Sequence, residues 1–215
     1  MKNLTPLHTI TAAIFIACAG YSLLVGNENT SALRRLNFRA KNTDNKTLHI
    51  KAVKKQGLDF LRETEKVAER LEVPTDWLLA VMHHESKFSH TVANYAGSKA
   101  VGLIQFMPPT AKDLGTTTKH LASITAVQQL KYVQRYLMRE KRNGGGFFSC
   151  GDLYLAVFYP KYRKFVKTGE FDTVIAKYPK KAYTQNKGMD INGDKKLTVG
   201  DICTLFYKNN KEIYQ

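Results

Sequence analysis

A carboxylate closes an otherwise greasy helix. Residues 76–82 read DWLLAVM, and His83, His84, Glu85 and Ser86 follow directly. At the end of such a helix Glu85 meets the negative end of the helix dipole and an apolar wall. Both disfavour its charged form, so its pKa is expected above the usual carboxylate range, where a general acid works. The bland alternative is a glutamate that simply reaches solvent at a helix end. His83 and His84 are adjacent, so they point to different faces of the helix. A zinc-protease H-E-x-x-H pattern requires His at position 88, and Phe88 stands there.

The elements that must position Glu85 read as helices. From Leu58, the residues Leu58, Leu61, Val67, Ala68 and Leu71 form one apolar stripe, with charged residues on the other face. Pro74 ends that helix, and Thr75 or Asp76 can cap the next, whose Trp77, Leu78, Val81 and Met82 face inward. In PPTAKDLG, Thr110 can cap a short helix and Gly115 can end it. Residues 124–140 carry Val127, Leu130, Val133 and Leu137 at helical spacing, and NGGG at 143–146 breaks the pattern. The segment DLYLAVFYP, 152–160, reads as a buried helix capped by Asp152 or as a short strand. No run of alternating strands and no internal repeat is visible, so the body is mainly α.

Read as one piece, residues 83–115 are HHESKFSHTVANYAGSKAVGLIQFMPPTAKDLG. Glu85-Ser86, Gly102-Leu103-Ile104-Gln105, Met107-Pro108 and Thr110-Ala111 stand there in order. This resembles the SLT-type lytic transglycosylase domain of the goose-lysozyme-like superfamily, over about residues 58–165. The resemblance implies a lysozyme-like fold and peptidoglycan as substrate. It implies Glu85 as the single catalytic acid/base, with Ser86, Gln105 and Met107 at the sugar groove. Asn94 falls near the family's serine that orients the reacting sugar. The family's later Ala-Tyr-Asn, whose tyrosine contacts the acid, is replaced here by Ala156-Val157-Phe158-Tyr159-Pro160, so Tyr159 or Phe158 is expected in that place.

The count of carboxylates bears on mechanism. Most glycosidases use two, as acid and as base or nucleophile. Between residues 77 and 151 the acids are Glu85, Asp113 and Glu140, and Asp113 reads as a surface residue. One carboxyl suffices where the sugar supplies its own nucleophile. In the family the muramic 6-hydroxyl does so and closes a 1,6-anhydro ring, with no cofactor in the catalytic step. A muramidase that hydrolyses the same bond with water, and a non-catalytic glycan-binding membrane or virion protein, are the rival expectations.

A second motif lies at 190–201, DINGDKKLTVGD. Oxygen ligands at positions 1, 3, 5, 9 and 12 of a calcium loop fall on Asp190, Asn192, Asp194, Thr198 and Asp201, with the Lys196 carbonyl at position 7. The loop resembles EF-hand-like and dockerin-like calcium loops, except that Lys195 holds the turn position that favours Gly. A weak structural Ca2+ site is expected, against an Asx-rich turn without an ion. The order of these pieces also resembles phage-encoded wall-degrading proteins.

Residues 7–25, LHTITAAIFIACAGYSLLV, carry no charge and match one bilayer crossing of about 20 residues. An uncleaved single-span membrane anchor is expected there, over a cleaved signal or a lipidated Cys18. Arg34, Arg35, Arg39, Lys41 and Lys46 follow the span. By the positive-inside rule they oppose an outward-facing domain in a cell membrane, although long domains translocate regardless and a virion membrane removes the conflict. The expected organisation is an anchor at 1–26, a basic linker at 27–56, the transglycosylase-like domain at 57–165 and an extension with the calcium loop at 166–215. Lys plus Arg number 33 against 18 acids, a net charge of +15. This favours an anionic partner such as a wall polymer. Nucleic acid is not expected, since zinc-finger spacing, RNA-binding aromatic signatures and phosphate-cradling glycine loops are all missing. Cys150 and Cys203 are read either as one disulfide or as two thiols.

Overall fold

The structure is a computed structural model that describes residues 46–94 and 97–208. The apolar run 7–25, its basic flank through Lys41 and the last seven residues lie outside the described residues. Among the described residues, no helix is long and apolar enough to cross a membrane.

The first three helices build the platform for Glu85. Helix α1 spans Lys46–Gln56, α2 spans Leu58–Leu71 and α3 spans Thr75–Ser86. The linker expected through residue 56 is therefore helical from Lys46, and α1 packs on both α2 and α3, with Ala52 fully buried. Gly57 separates α1 from α2 at φ 88, a conformation that a side chain would strain. In α2 the buried face is Phe60, Thr64, Val67, Ala68 and Leu71. Leu58, expected on that stripe, is exposed, because the first residue of the helix lies beyond the packed surface. The helix stops at Leu71 with Glu72 left-handed, and the Val73 N–H returns to the Ala68 carbonyl, a Schellman-type end. Pro74 then precedes α3 as its cap residue, without a side-chain cap from Thr75 or Asp76.

Asp76 has another task. It is buried, and its Oδ1 lies 2.9 Å from His49 Nε2 on α1. The hydrogen bond to Asp76 raises the His49 pKa against the opposing effect of burial. A histidine whose folded pKa exceeds its unfolded value adds stability below about pH 6.5 and loses it as pH rises through the folded value. The protein should therefore lose stability across that window. His49→Ala should lose less stability than the parent between pH 6 and pH 8, as read by urea denaturation. An equal loss in both proteins would assign it elsewhere.

Short helices follow: α4, Pro108–Asp113, and α5, Thr118–Ser123. Pro108 and Pro109 occupy the first turn of α4, where missing N–H groups cost nothing, so the helix begins before Thr110. Helix α6, Ala126–Gly144, starts at a Thr125–Gln128 capping box and ends at Gly145 in the left-handed conformation. It packs along α2 and buries Leu130, Val133 and Leu137, while Val127 in the first turn is 36 % exposed. The apolar segment near 155 is a helix, α7, Cys150–Phe158, buried from Cys150 through Ala156. Ser149 caps it by accepting the Asp152 N–H, whereas Asp152 accepts from Phe148 N–H and pairs with Arg163.

The chain closes with α8, Arg163–Thr168, strand β1, Val174–Lys177, α9, Lys181–Gln185, strand β2, Lys196–Thr198, and α10, Val199–Lys208. The two strands pair antiparallel, Ala176 opposite Leu197, with a bulge between Val174 and Ala176. Helix α10 packs on α7, and α7 packs on α3. Cys150 and Cys203, both buried, lie on the touching helices α7 and α10.

Candidate active site

Glu85 stands in the last turn of α3, a helix buried from Asp76 through Met82. The chain leaves that helix through two successive left-handed residues, Lys87 at φ 52 and Phe88 at φ 64. Phe88 turns inward and packs on Phe60 and His83, so the exit is fixed by core packing. Glu85 is left half-buried. Burial raises its pKa to about 7, and a hydrogen bond with the Tyr154 hydroxyl works in the opposite direction. The sequence expectation of a raised acid at the helix end matches this environment, with burial as the main cause.

Both neighbouring histidines are held neutral. Burial, with Lys87 nearby, lowers His83 to about 4 and also lowers His84. His84 packs edge-on against Tyr154, 5.0 Å between centroids, and against Phe206 at 5.2 Å. Of these rings, Tyr154 is the one that reaches Glu85.

The Gly-Leu-Ile-Gln segment forms a tight turn beside α3. Val101 and Phe106 exchange backbone hydrogen bonds across it. Gly102 sits at φ 82, and a Cβ there would stand 2.4 Å from Gln129 Oε1, so only glycine fits. Gln129 is fully buried on α6. Its Oε1 accepts from Leu103 N–H, and its Nε2 donates to the carbonyls of His90 and Leu121. The Ser86 hydroxyl reaches the carbonyls of Met82 and Leu103, at 3.0 and 3.1 Å. Ser86, expected at the sugar groove, is buried and fastens the turn to α3 instead. It serves the site by holding Gln105's turn next to Glu85.

Gln105 adopts φ 51, a rare conformation for a non-glycine residue and one that collects at functional sites. Its Nε2 donates to the carbonyls of Val92 and Gly102. Met107 is 43 % exposed, a large apolar side chain presented to solvent just past the turn. Asn94 is exposed, and its backbone pairs with Ala100 and Lys99 in the loop before the turn.

The tyrosine that meets the acid is Tyr154. Its hydroxyl bonds the Glu85 carboxyl. Tyr159 lies beyond the end of α7 and packs on Phe158 and Tyr162. Phe158, one helical turn after Tyr154, stacks with it at 5.4 Å. The two residues share a helix face at i and i+4. A Phe at 158 therefore comes with a hydroxyl one turn earlier. That spacing was the sequence signal available for Tyr154.

Asp113 is exposed and faces Arg139 at 3.9 Å, and Glu140 pairs with the same arginine. A basic cavity of about 520 Å³, lined by Arg142, Lys161, Lys164 and Lys167 among others, includes none of the predicted groove residues.

In the loop 190–201, Asp190 accepts from the N–H groups of Gly193 and Lys195 and from the Tyr183 hydroxyl. Asn192 and Asp194 accept from the N–H groups two residues on. Thr198 and Asp201 bond each other reciprocally at the start of α10. Lys195 takes the left-handed conformation at φ 65. The oxygen-rich donor set suits calcium, and Lys196 would add its carbonyl. Among the described residues, however, no group of three or more His, Cys, Asp or Glu side chains is gathered so that it could hold a metal ion.

Comparison with known families finds a transglycosylase SLT domain in residues 63–137. The matched segment runs from α2 through the buried stretch of α6 and contains Glu85, the Gly102–Gln105 turn, Met107 and Gln129. At the level of the family, this domain class cleaves peptidoglycan as a lytic transglycosylase. No curated protein matches the chain.

Proposed function

We propose that this protein cleaves the bond between N-acetylmuramic acid and N-acetylglucosamine in peptidoglycan and leaves a 1,6-anhydro muramic end. The observation that carries the reading is the environment of Glu85, a half-buried carboxyl whose pKa lies at about 7. A protonated Glu85 donates its proton to the glycosidic oxygen, and the bond to the muramic C1 breaks. The resulting carboxylate takes the proton of the muramic 6-hydroxyl as that oxygen bonds to C1. The glutamate ends protonated, ready for another turn. One carboxyl thus serves as acid and then base, consistent with the engagement of Asp113 and Glu140 by Arg139. The Gly102–Gln105 turn and Met107 supply the wall on which the glycan lies. No step passes through the loop 190–201.

Mass spectrometry of purified peptidoglycan digested by the protein tests this. Anhydro-muramyl ends are expected. Reducing muramyl ends would replace the reading with hydrolysis and require a positioned water. Binding without any product would replace it with a glycan-binding role.

A further inference from the structure

We propose that helix α10 is a working part of this site, and that Phe206 is a positioning residue that holds the Tyr154 hydroxyl on Glu85. The proposal rests on Glu85 being the acid. Phe206 lies far beyond the SLT segment, which ends at 137.

The geometry is specific. The Tyr154 ring stacks on Phe206, with centroids 4.3 Å apart and planes 26° from parallel. It also stacks on Phe158, and His84 meets both Tyr154 and Phe206. Phe206 is 2 % exposed. A tyrosine has two rotatable angles, and flat packing against its ring fixes both, which aims the hydroxyl. Phe206 also covers Tyr154 from solvent, and that cover extends the burial that keeps Glu85 protonated.

Helix α10 is itself seated firmly. At Gly151 on α7 a Cβ would stand 2.7 Å from the Cys203 Cα, so the two backbones touch where glycine leaves room. The reciprocal Thr198–Asp201 bonds start the helix, and β2, immediately before it, is paired to β1. Strand pair, cap and glycine seat together place the ring of Phe206 at one height along α7.

Other titratable groups near Glu85 are Tyr154 on α7, His83 and His84 in the last turn of its own helix, and Lys87 just past it; both histidines are neutral at pH 7. Two opposing effects then separate the variants. Phe206→Ala admits water to the Tyr154–Glu85 pair. Because burial is the larger influence on Glu85, the alkaline limb of the kcat profile should move to lower pH. Tyr154→Phe removes only the bond that favours the carboxylate, so its limb should move to higher pH.

The test uses the full chain with Phe206→Ala, Phe206→Leu and Glu85→Gln beside the parent. Phe206→Leu keeps the core filled if the alanine variant fails to fold. A fall in kcat of about 10- to 100-fold is expected for Phe206→Ala. KM should change little, and the alkaline limb should move down; Phe206→Leu should show the same pattern to a lesser degree. Folded variants with parental kcat and an unmoved limb, beside an inactive Glu85→Gln, would overturn this proposal alone. Parental turnover by Glu85→Gln would remove the acid assignment and this proposal with it.

Discussion

Glu85→Gln should lower peptidoglycan turnover by about 10³- to 10⁴-fold, as expected when a positioned acid/base is lost. The amide cannot donate a proton to the glycosidic oxygen or accept one from the 6-hydroxyl. The same residue sets the alkaline limb of the parent. Activity requires the protonated form, so it should fall as pH rises through about 7. The stability of the fold carries the opposite signature. Glu85 has a folded pKa above its unfolded value of 4.5, so its burial costs nothing below pH 4.5 and costs progressively more as pH rises through 7. Above pH 8, Glu85→Gln should therefore stabilise the protein by about 3 kcal/mol. Release of soluble glycan and urea denaturation, each followed from pH 5 to 9, read the two effects. A variant that loses activity but gains no stability at high pH would show that Glu85 is ionised without strain. A variant that keeps activity would end the assignment of the acid.

Part of the candidate site's geometry was legible because local patterns carry it. A carboxyl after seven residues of buried helix announced its own raised pKa. Gly102 and Gln105 stood at fixed offsets in one turn, and the structure shows why Gly102 can be nothing else. What the sequence hid were long-range contacts. Gln129 reads as a polar residue on an amphipathic helix, yet it bonds Leu103, His90 and Leu121 at once. Ser86 sits beside the acid, so proximity in sequence suggested the groove, while two carbonyls claim its hydroxyl. Residues 46–56 carry five charges or histidines among few apolar groups, and this reads as a tether. The helix forms because Ala52 and Leu48 reach the core and His49 meets Asp76. Tyr154 and Phe206 are separated by fifty-two positions, and nothing periodic links them.

The C-terminal part has a different logic from the SLT segment. In the matched region, Glu85 ends a buried helix, and Ser86 and Gln129 hold the Gly102–Gln105 turn. Beyond it, α7 brings a hydroxyl to the acid, and the remaining elements fix α7. The stacking of Phe158 on Tyr154 fits this division. The hydroxyl comes from Tyr154, which stacks on Phe158 of its own helix and on Phe206 of α10. Loss of packing far from Glu85 is therefore expected to reach the reaction through one hydroxyl.

Arg163→Met should cost the fold about 3–5 kcal/mol, because it strands a buried carboxylate. Arg163 and Asp152 are 5 % and 0 % exposed at the side chain and pair through two bonds, Nε to Oδ1 at 2.8 Å and Nη2 to Oδ2 at 3.1 Å. The guanidinium also donates to the carbonyls of Glu140 and Gly146, so it ties the end of α6 to the start of α7. Gly144 makes room for it, since a Cβ there would stand 2.3 Å from Nη1. Without the arginine, Asp152 keeps the Phe148 N–H, and burial already holds its pKa above the usual range. Its folded pKa then rises further above the unfolded value, so the loss should be large at pH 8 and shrink toward pH 4 as the carboxyl takes a proton. Asp152→Asn added to Arg163→Met removes the stranded charge and keeps an acceptor for Phe148. About half of the lost stability should return, the rest being the two carbonyls left without donors. Urea denaturation at pH 5 and pH 8 measures all three proteins. An equal loss at both pH values, with no recovery in the double variant, would mean that Arg163 acts by filling space. The pH-dependent result would make it the electrostatic pin of the helix that carries Tyr154, and the single variant should then also lose turnover in proportion to how far that hydroxyl drifts from Glu85.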